Sequence, residues 1–175
     1  MEENYAVQLK RTDAIHSHDD FYSVNAHRFV KFGLSLLLTA LKHEKFDTHS
    51  EEQLALLNSF VDIVGNAMFS KHPSINILAV RVMSVLCKLR LSALNNAFPV
   101  IVKQTFSLIK NTGSTGSELC QACFKLLTVL IRHCKDVEIK EHQLAYLIDT
   151  IRPDLEEPEK QGVTFSLIKA KVCSP

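Results

Sequence analysis

The chain has 175 residues, of which 46% are hydrophobic and 22% are charged, with only five Gly and five Pro. This composition excludes a disordered or fibrous protein and predicts an ordered helical one. Twenty basic and nineteen acidic residues give a formal net charge of +1, so no global positive field attracts the chain to nucleic acid or to an anionic membrane.

The first residues, Met1 to Asp20, mix charged residues, His and polar residues without a hydrophobic period, which predicts a mobile arm over 1–20. They contain no apolar segment typical of a secretory signal. The most apolar stretch, Gly33 to Leu41, is far shorter than the roughly 20 residues that cross a bilayer. Five cysteines, an odd number, favour reduced thiols and a protein of the cytosol or nucleus.

A first helix is predicted from Val24 to Lys42, because apolar residues recur there at steps of three and four. Its broad apolar face comprises Phe29, Val30, Phe32, Leu34, Leu36, Leu37, Ala40 and Leu41. The segment Ser50-Glu-Glu-Gln53 is a capping box, in which the Ser hydroxyl accepts a backbone N–H and Gln53 reaches back to the cap, and it predicts the start of a second helix.

The third and fourth helices are predicted from their start signals. His72-Pro73-Ser74 ends one element and caps the next, which runs to about Arg90. The fourth helix is predicted over about Ala97 to Lys110. With Asn96 as its N-cap, Pro99 falls in the first turn, where a missing N–H costs no intrahelical hydrogen bond.

The Gly- and Ser-rich stretch from Asn111 to Gly116 predicts a flexible turn. After it, Ser117 caps a fifth helix that is predicted to continue to about Lys135. A sixth helix is predicted over about Glu141 to Arg152, with Pro153 disturbing or ending it.

A seventh helix is predicted to open with Pro158 in its first turn. Its apolar residues Phe165, Ile168 and Val172 have no following helix to cover them, so we expect the array over 21–175 to be truncated at its C-terminal end.

Apolar-faced helices begin at Ser74, Ser117 and Pro158, about 41 to 43 residues apart, with a second amphipathic helix between successive starts. A period of this size, filled by two helices and a short turn, is typical of HEAT and armadillo repeats. The sequence therefore predicts an all-α, HEAT/armadillo-like α-solenoid of about seven helices, or three and a half helix pairs, over residues 21–175.

Two groups of residues have the side chains of metal ligands. Cys120, Cys123, His133 and Cys134 lie on one predicted helix, but Cys120 and Cys134 would be about 21 Å apart along it, too far to share an ion. We therefore expect buried core cysteines. The segment His16-Ser-His18-Asp19-Asp20 has no supporting second cluster and is interpreted as part of the solvated arm. No metal, cofactor or catalytic residue is predicted.

The sequence contains no P-loop, dinucleotide-binding fingerprint, Gly-x-Ser-x-Gly elbow or His-Glu-x-x-His motif. Basic residues on the polar sides of the helices could form an exposed ridge that contacts phosphates. The candidate nucleic-acid contacts are Lys103, Lys110, Lys125, Arg132 and Lys135.

Several strings resemble, in order, the C-terminal part of a family of very large HEAT-repeat proteins. They are Asn25-Ala-His27, Val30-Lys-Phe-Gly-Leu34, Leu41-Lys42, the unit Ile77-Leu-Ala to Leu94, Gln121-Ala-Cys-Phe-Lys125, Glu141-His-Gln-Leu144, Gln161 and Phe165-Ser-Leu-Ile-Lys-Ala170. The family is component 20 of the small-subunit processome, also called the down-regulated in metastasis family.

This resemblance implies a non-catalytic scaffold of the nucleolus and nucleus that supports pre-ribosomal RNA processing and small-subunit assembly. It implies processome proteins, pre-ribosomal RNA and box C/D snoRNA as partners, and no membrane or small-molecule substrate. Family members run to thousands of residues. The alternatives are a generic HEAT or armadillo protein-binding adaptor in transport or trafficking, and a metal-dependent enzyme that uses the His16 to Asp20 arm or the cysteines.

Overall fold

A computed structural model of the chain describes residues 20–89, 91–135 and 137–156, without the side chains of residues 20–25 and 155. The described residues form six α-helices and no strand. They are α1 (Asp20–Lys42), α2 (Glu51–Ala67), α3 (Pro73–Leu86), α4 (Ser92–Asn111), α5 (Glu118–His133) and α6 (Glu141–Glu156). The predicted all-α fold is confirmed. Nearly all of the predicted arm and the whole seventh helix lie outside the described residues.

The helices pack in two layers. In one layer α3 lies between α1 and α5, and in the other α2 packs against α4. The layers meet where α3 contacts α2 and where α5 contacts α4. Each of the first three helices thus packs beside the next but one in the chain, which is compatible with the predicted HEAT-like α-solenoid.

α6 is held against α4 and the turn before α5 by polar contacts. The Lys110 ammonium lies 5.1 Å from the centre of the Tyr146 ring, and the Thr115 hydroxyl donates to the buried Asp154 carboxylate at 3.0 Å. Leu147 and Ile151 add apolar burial. The sixth helix therefore completes the described core.

Two predicted helix starts are confirmed by their caps. The Ser50 hydroxyl accepts from the Gln53 N–H at 3.5 Å, and the Ser117 hydroxyl accepts from the Cys120 N–H at 3.2 Å. The reciprocal half of the first capping box differs, because the Gln53 side chain accepts from the Asp47 N–H at 2.7 Å instead of returning to Ser50. The box therefore also ties down the loop before α2.

The segment His72-Pro73-Ser74 caps the third helix as predicted, but the helix begins at Pro73, one residue before the predicted Ser74. His72 occupies the N-cap position without a side-chain hydrogen bond, and Pro73 begins the helix. Proline suits that first position, because its missing N–H would have no intrahelical partner. The helix also ends at Leu86, a few residues before the predicted Arg90.

Both internal prolines lie deeper in their helices than predicted. α4 begins at Ser92 after Leu91, not after Asn96, so Pro99 stands beyond the first turn. α6 likewise continues through Pro153 to its last residue. Each proline leaves the carbonyl four residues before it without an intrahelical N–H. The helices tolerate this because Asn95 and Asp149 are exposed, so that water can satisfy those carbonyls.

The broad apolar face predicted for the first helix is divided between two opposite sides of α1. Leu34, Leu37, Leu38 and Leu41 are buried in the core. On the other side, three large side chains at steps of three and four are open. They are Phe29, Phe32 and Leu36, which are 74%, 68% and 60% exposed. We call these three residues the open face of α1.

Replacing the buried Phe124 by Ala is expected to lower the free energy of unfolding by about 3 to 5 kcal/mol, because Phe124 is completely buried and its loss leaves a cavity. The matched control is Phe29→Ala on the open face of α1, with an expected change of less than about 0.5 kcal/mol. Urea unfolding followed by circular dichroism measures both. An equal loss in the two variants would contradict the described core.

A candidate nucleic-acid interface

The structure separates the five basic residues predicted to contact nucleic acid into two places. Lys125, Arg132 and Lys135 lie on α5 and directly after it, along the layer formed by α1, α3 and α5. Lys103 and Lys110 lie on α4 in the other layer. Lys103 lines a separate pocket that also includes the carboxylate of Glu138, and Lys110 lies over Tyr146. The five residues therefore form no single ridge.

Two pockets place Lys125, Arg132 and Lys135 next to cations that sequence reasoning missed. The first, of about 550 Å³, is lined by Lys42 of α1, Arg81 of α3 and Lys125 of α5, and by Lys88, which follows α3. The second, of about 840 Å³, is lined by Lys88, Arg132, His133 and Lys135. Lys88 lines both pockets and thereby joins them. We call the surface formed by Lys42, Arg81, Lys88, Lys125, Arg132 and Lys135 the basic groove.

A repeated spacing in the sequence could have revealed the basic groove. Arg81, Ser84 and Lys88 recur 44 residues later as Lys125, Thr128 and Arg132, so a cation, a hydroxyl and a second cation stand at positions i, i+3 and i+7 in both helical units. Positions at these steps share one face of a helix. The repeat therefore places the same polar stripe on two adjacent units of one layer, with Lys88 in the turn directly after α3.

The two hydroxyls of this stripe are bonded to their own helices. Ser84 donates to the Val80 carbonyl and Thr128 to the Phe124 carbonyl, both at 2.9 Å. Their O–H groups are thus used locally, as is common for Ser and Thr inside helices. The cations, and not the hydroxyls, are the hydrogen-bond donors that the groove offers to a ligand.

One ion pair lies at the edge of the groove. The Arg81 guanidinium contacts the Glu118 carboxylate at 2.9 Å, with both side chains largely exposed. A pair so exposed contributes little to stability. Among the described residues that line the two pockets there is no Asp or Glu, so the groove is a local concentration of positive charge.

The cysteines that resembled zinc ligands are core residues, as predicted. Cys120 and Cys123 are buried, and the half-buried Cys134 donates through its thiol to the Cys87 carbonyl at 3.5 Å. Burial raises the pKa of Cys120 and raises that of Cys123 to about 12. The Cys134 thiol and burial together raise the pKa of Cys87. The raised pKa values keep the thiols of Cys87, Cys120 and Cys123 protonated at neutral pH, which disfavours a nucleophilic role.

Two further properties concern only the part of the chain that the structure describes. In that part, no group of three His, Cys, Asp or Glu side chains is placed to hold a metal ion. None of the described helices is long and apolar enough to cross a membrane. Of the segment His16 to Asp20, only Asp20 lies within the described residues, as the first residue of α1.

No protein-family model matches the chain. Two curated proteins resemble it over most of its length, both named U3 small nucleolar RNA-associated protein 20. The Schizosaccharomyces pombe protein is 29% identical over 169 residues, or 96% of this chain, and the Saccharomyces cerevisiae protein is 31% identical over 159 residues, or 86%. The chain is similar to one segment of these proteins.

This similarity confirms the family resemblance that the sequence predicted, and it is consistent with a C-terminal region of the family. The matched segment is small, because the chain spans about 6% of the length of each of these relatives. What it shares with U3 small nucleolar RNA-associated protein 20 is therefore one stretch of the longer sequence.

The Cys123 thiol is expected to resist alkylation in the folded protein. Raising its pKa from 9.0 to about 12 lowers the thiolate fraction at pH 8 about a thousandfold, and burial also blocks access. Treatment with iodoacetamide at pH 8, followed by peptide mass spectrometry, should leave Cys123 unmodified in buffer and label it in urea. Rapid labelling without urea would contradict its place in the core.

Proposed function

We propose that this chain is a non-catalytic scaffold segment that supports pre-ribosomal RNA processing and assembly of the small ribosomal subunit. The observation that carries this proposal is the similarity, over 96% and 86% of the chain, to two proteins named for their association with U3 small nucleolar RNA. The layered helices support a scaffolding role, because stacked helix pairs present long surfaces to partners.

The partners that we propose are proteins of the small-subunit processome, together with pre-ribosomal RNA and box C/D snoRNA. The place of action is the nucleolus, where these components would assemble. A scaffold contributes by holding partners at fixed positions, so the proposal assigns no catalytic residue to the chain.

The open face of α1 supports the part of this proposal that concerns proteins. Phe29, Phe32 and Leu36 form an exposed apolar stripe on the side of α1 opposite the buried leucines. A helix that is apolar on opposite sides is typical of one packed between two neighbours, and α1 packs on α3 with its other side. The occupant that we propose for the open face is an amphipathic helix of a processome protein.

Affinity purification of the tagged full chain from nuclear extract tests the proposal. We expect U3 RNA, pre-ribosomal RNA and processome proteins to be enriched, measured by quantitative RT-PCR and mass spectrometry. In the double variant Phe29→Ser with Phe32→Ser, the enrichment of processome proteins should fall at least tenfold while the helix content stays the same. The reason is that buried aromatic side chains supply much of the binding energy at such contacts.

The matched control is Leu56→Ser with Ile148→Ser, which removes two other exposed apolar side chains and should leave the enrichment unchanged. If the unaltered chain enriches neither U3 RNA nor processome proteins, the proposed function is wrong. If the control variant loses as much enrichment as the α1 variant, the open face of α1 is not the contact.

A further inference from the structure

The basic groove is built from a repeated arrangement of charge. Lys125 and Arg132, both on α5, are seven residues apart, a separation of about 10.5 Å along the helix. Arg81 lies on α3, and Lys88 follows the end of that helix at Leu86. The helices α3 and α5 are neighbours in one layer, and packed helices lie about 8 to 10 Å apart. Arg81, Lys88, Lys125 and Arg132 therefore form two neighbouring pairs of cations, of which Arg81 also contacts the Glu118 carboxylate.

Lys42 and Lys135 extend this group of cations at its two ends. Lys42, at the end of α1, adds a cation on the far side of α3 from α5. Lys135 follows the end of α5 and adjoins Arg132 and Lys88 across the second pocket. Positive charge thus continues over three successive helices of the layer, which suits a ligand with regularly repeated negative charge.

The floor of the first pocket is neutral. Its described lining residues other than the cations are apolar, such as Leu38 and Val129, or are the locally bonded Ser84 and Thr128. No aromatic side chain is among the described residues of that lining, and of the two aromatic side chains that line the second pocket, Phe98 is buried and His133 is exposed. Proteins that bind single strands depend on aromatic stacking of the bases, so this pocket offers contacts to phosphates and not to bases.

A double-stranded nucleic acid fits such a surface better than a single strand, because its two strands bring more phosphate charge to each ångström of length. In RNA duplexes the deep, narrow major groove hides the base edges, and proteins bind them through shape and backbone contacts. We propose that the basic groove binds the phosphate backbone of double-stranded RNA without reading its base sequence. This inference rests on the proposed function, since it names the RNA contact of the same scaffold.

The test is fluorescence anisotropy with labelled RNA duplexes of about 20 base pairs and the purified full chain. Two duplexes of unrelated sequence should bind equally within about twofold, and affinity should fall steeply with salt. The triple variant Lys88→Gln, Lys125→Gln, Arg132→Gln should bind at least about a hundredfold more weakly at 0.1 M salt, with a salt slope reduced by about two to three, since each lost phosphate contact removes roughly one unit of slope.

The matched control is Lys103→Gln, Lys110→Gln, Lys140→Gln, which removes the same net charge from α4 and the segment before α6. It should change the affinity by less than about threefold. Circular dichroism and thermal unfolding must show that both triple variants keep the fold. An equal loss of affinity in both variants would mean that RNA is attracted by the overall charge of the protein. It would overturn the proposal that RNA binds in the basic groove.

Two other results would overturn the proposal. One is at least tenfold tighter binding of a single-stranded RNA of the same length than of either duplex. The other is groove-dependent binding of a polyglutamate peptide with no binding of RNA, which would identify an acidic protein as the partner.

The groove and the proposed function can fail separately. A chain that enriches processome proteins but binds no duplex when purified would refute the groove alone. A chain that binds duplex through the groove but enriches neither U3 RNA nor processome proteins would refute the proposed function, and would leave the groove as a general RNA-binding surface.

Discussion

The packing of α3 on both of its sides is the constraint on which the rest of the structure depends. α3 contacts α1 and α5 within its own layer and α2 in the other, and five of its apolar side chains have no exposed surface. A helix enclosed on three sides can carry charge only on the narrow strip that remains. The enclosure therefore fixes both the core and the position of Arg81 on the exposed strip, and Lys88 follows directly after the end of the helix.

The same constraint explains why the polar stripe is repeated. α5 is enclosed by α3 on one side and α4 on the other, so its outward strip has the same orientation as that of α3. A 44-residue offset that superposes the strips also superposes Ser84 on Thr128. Since the chain as a whole carries a formal net charge of only +1, the groove is positive because packing collects cations there, and salt should screen its attraction strongly.

The helices and their caps could be predicted because they depend on local spacing. Ser50 and Ser117 are caps as predicted, and the thiols of Cys120 and Cys123 are in the core that the apolar period indicated. The start of α4 could not be predicted, because Pro99 suggested a helix start although water can satisfy the carbonyl that it leaves free. The Asn58 side chain of α2 accepts from the Ala93 N–H at 3.0 Å, so a tertiary contact caps that boundary and no local signal records it.

The candidate site was harder to predict than the fold, because a helix pattern says which residues share a face but not which faces meet. Like Lys125, Lys103 and Lys110 are basic residues on the polar side of an amphipathic helix, yet they lie in the opposite layer. The two sides of α1 show the same limit: Leu34 and Phe32 are both apolar and helical, and only the position of α3 makes one buried and the other exposed. Comparing cations between repeat units, as well as apolar residues, gives the missing information, because units that stack in the same way must expose the same strip.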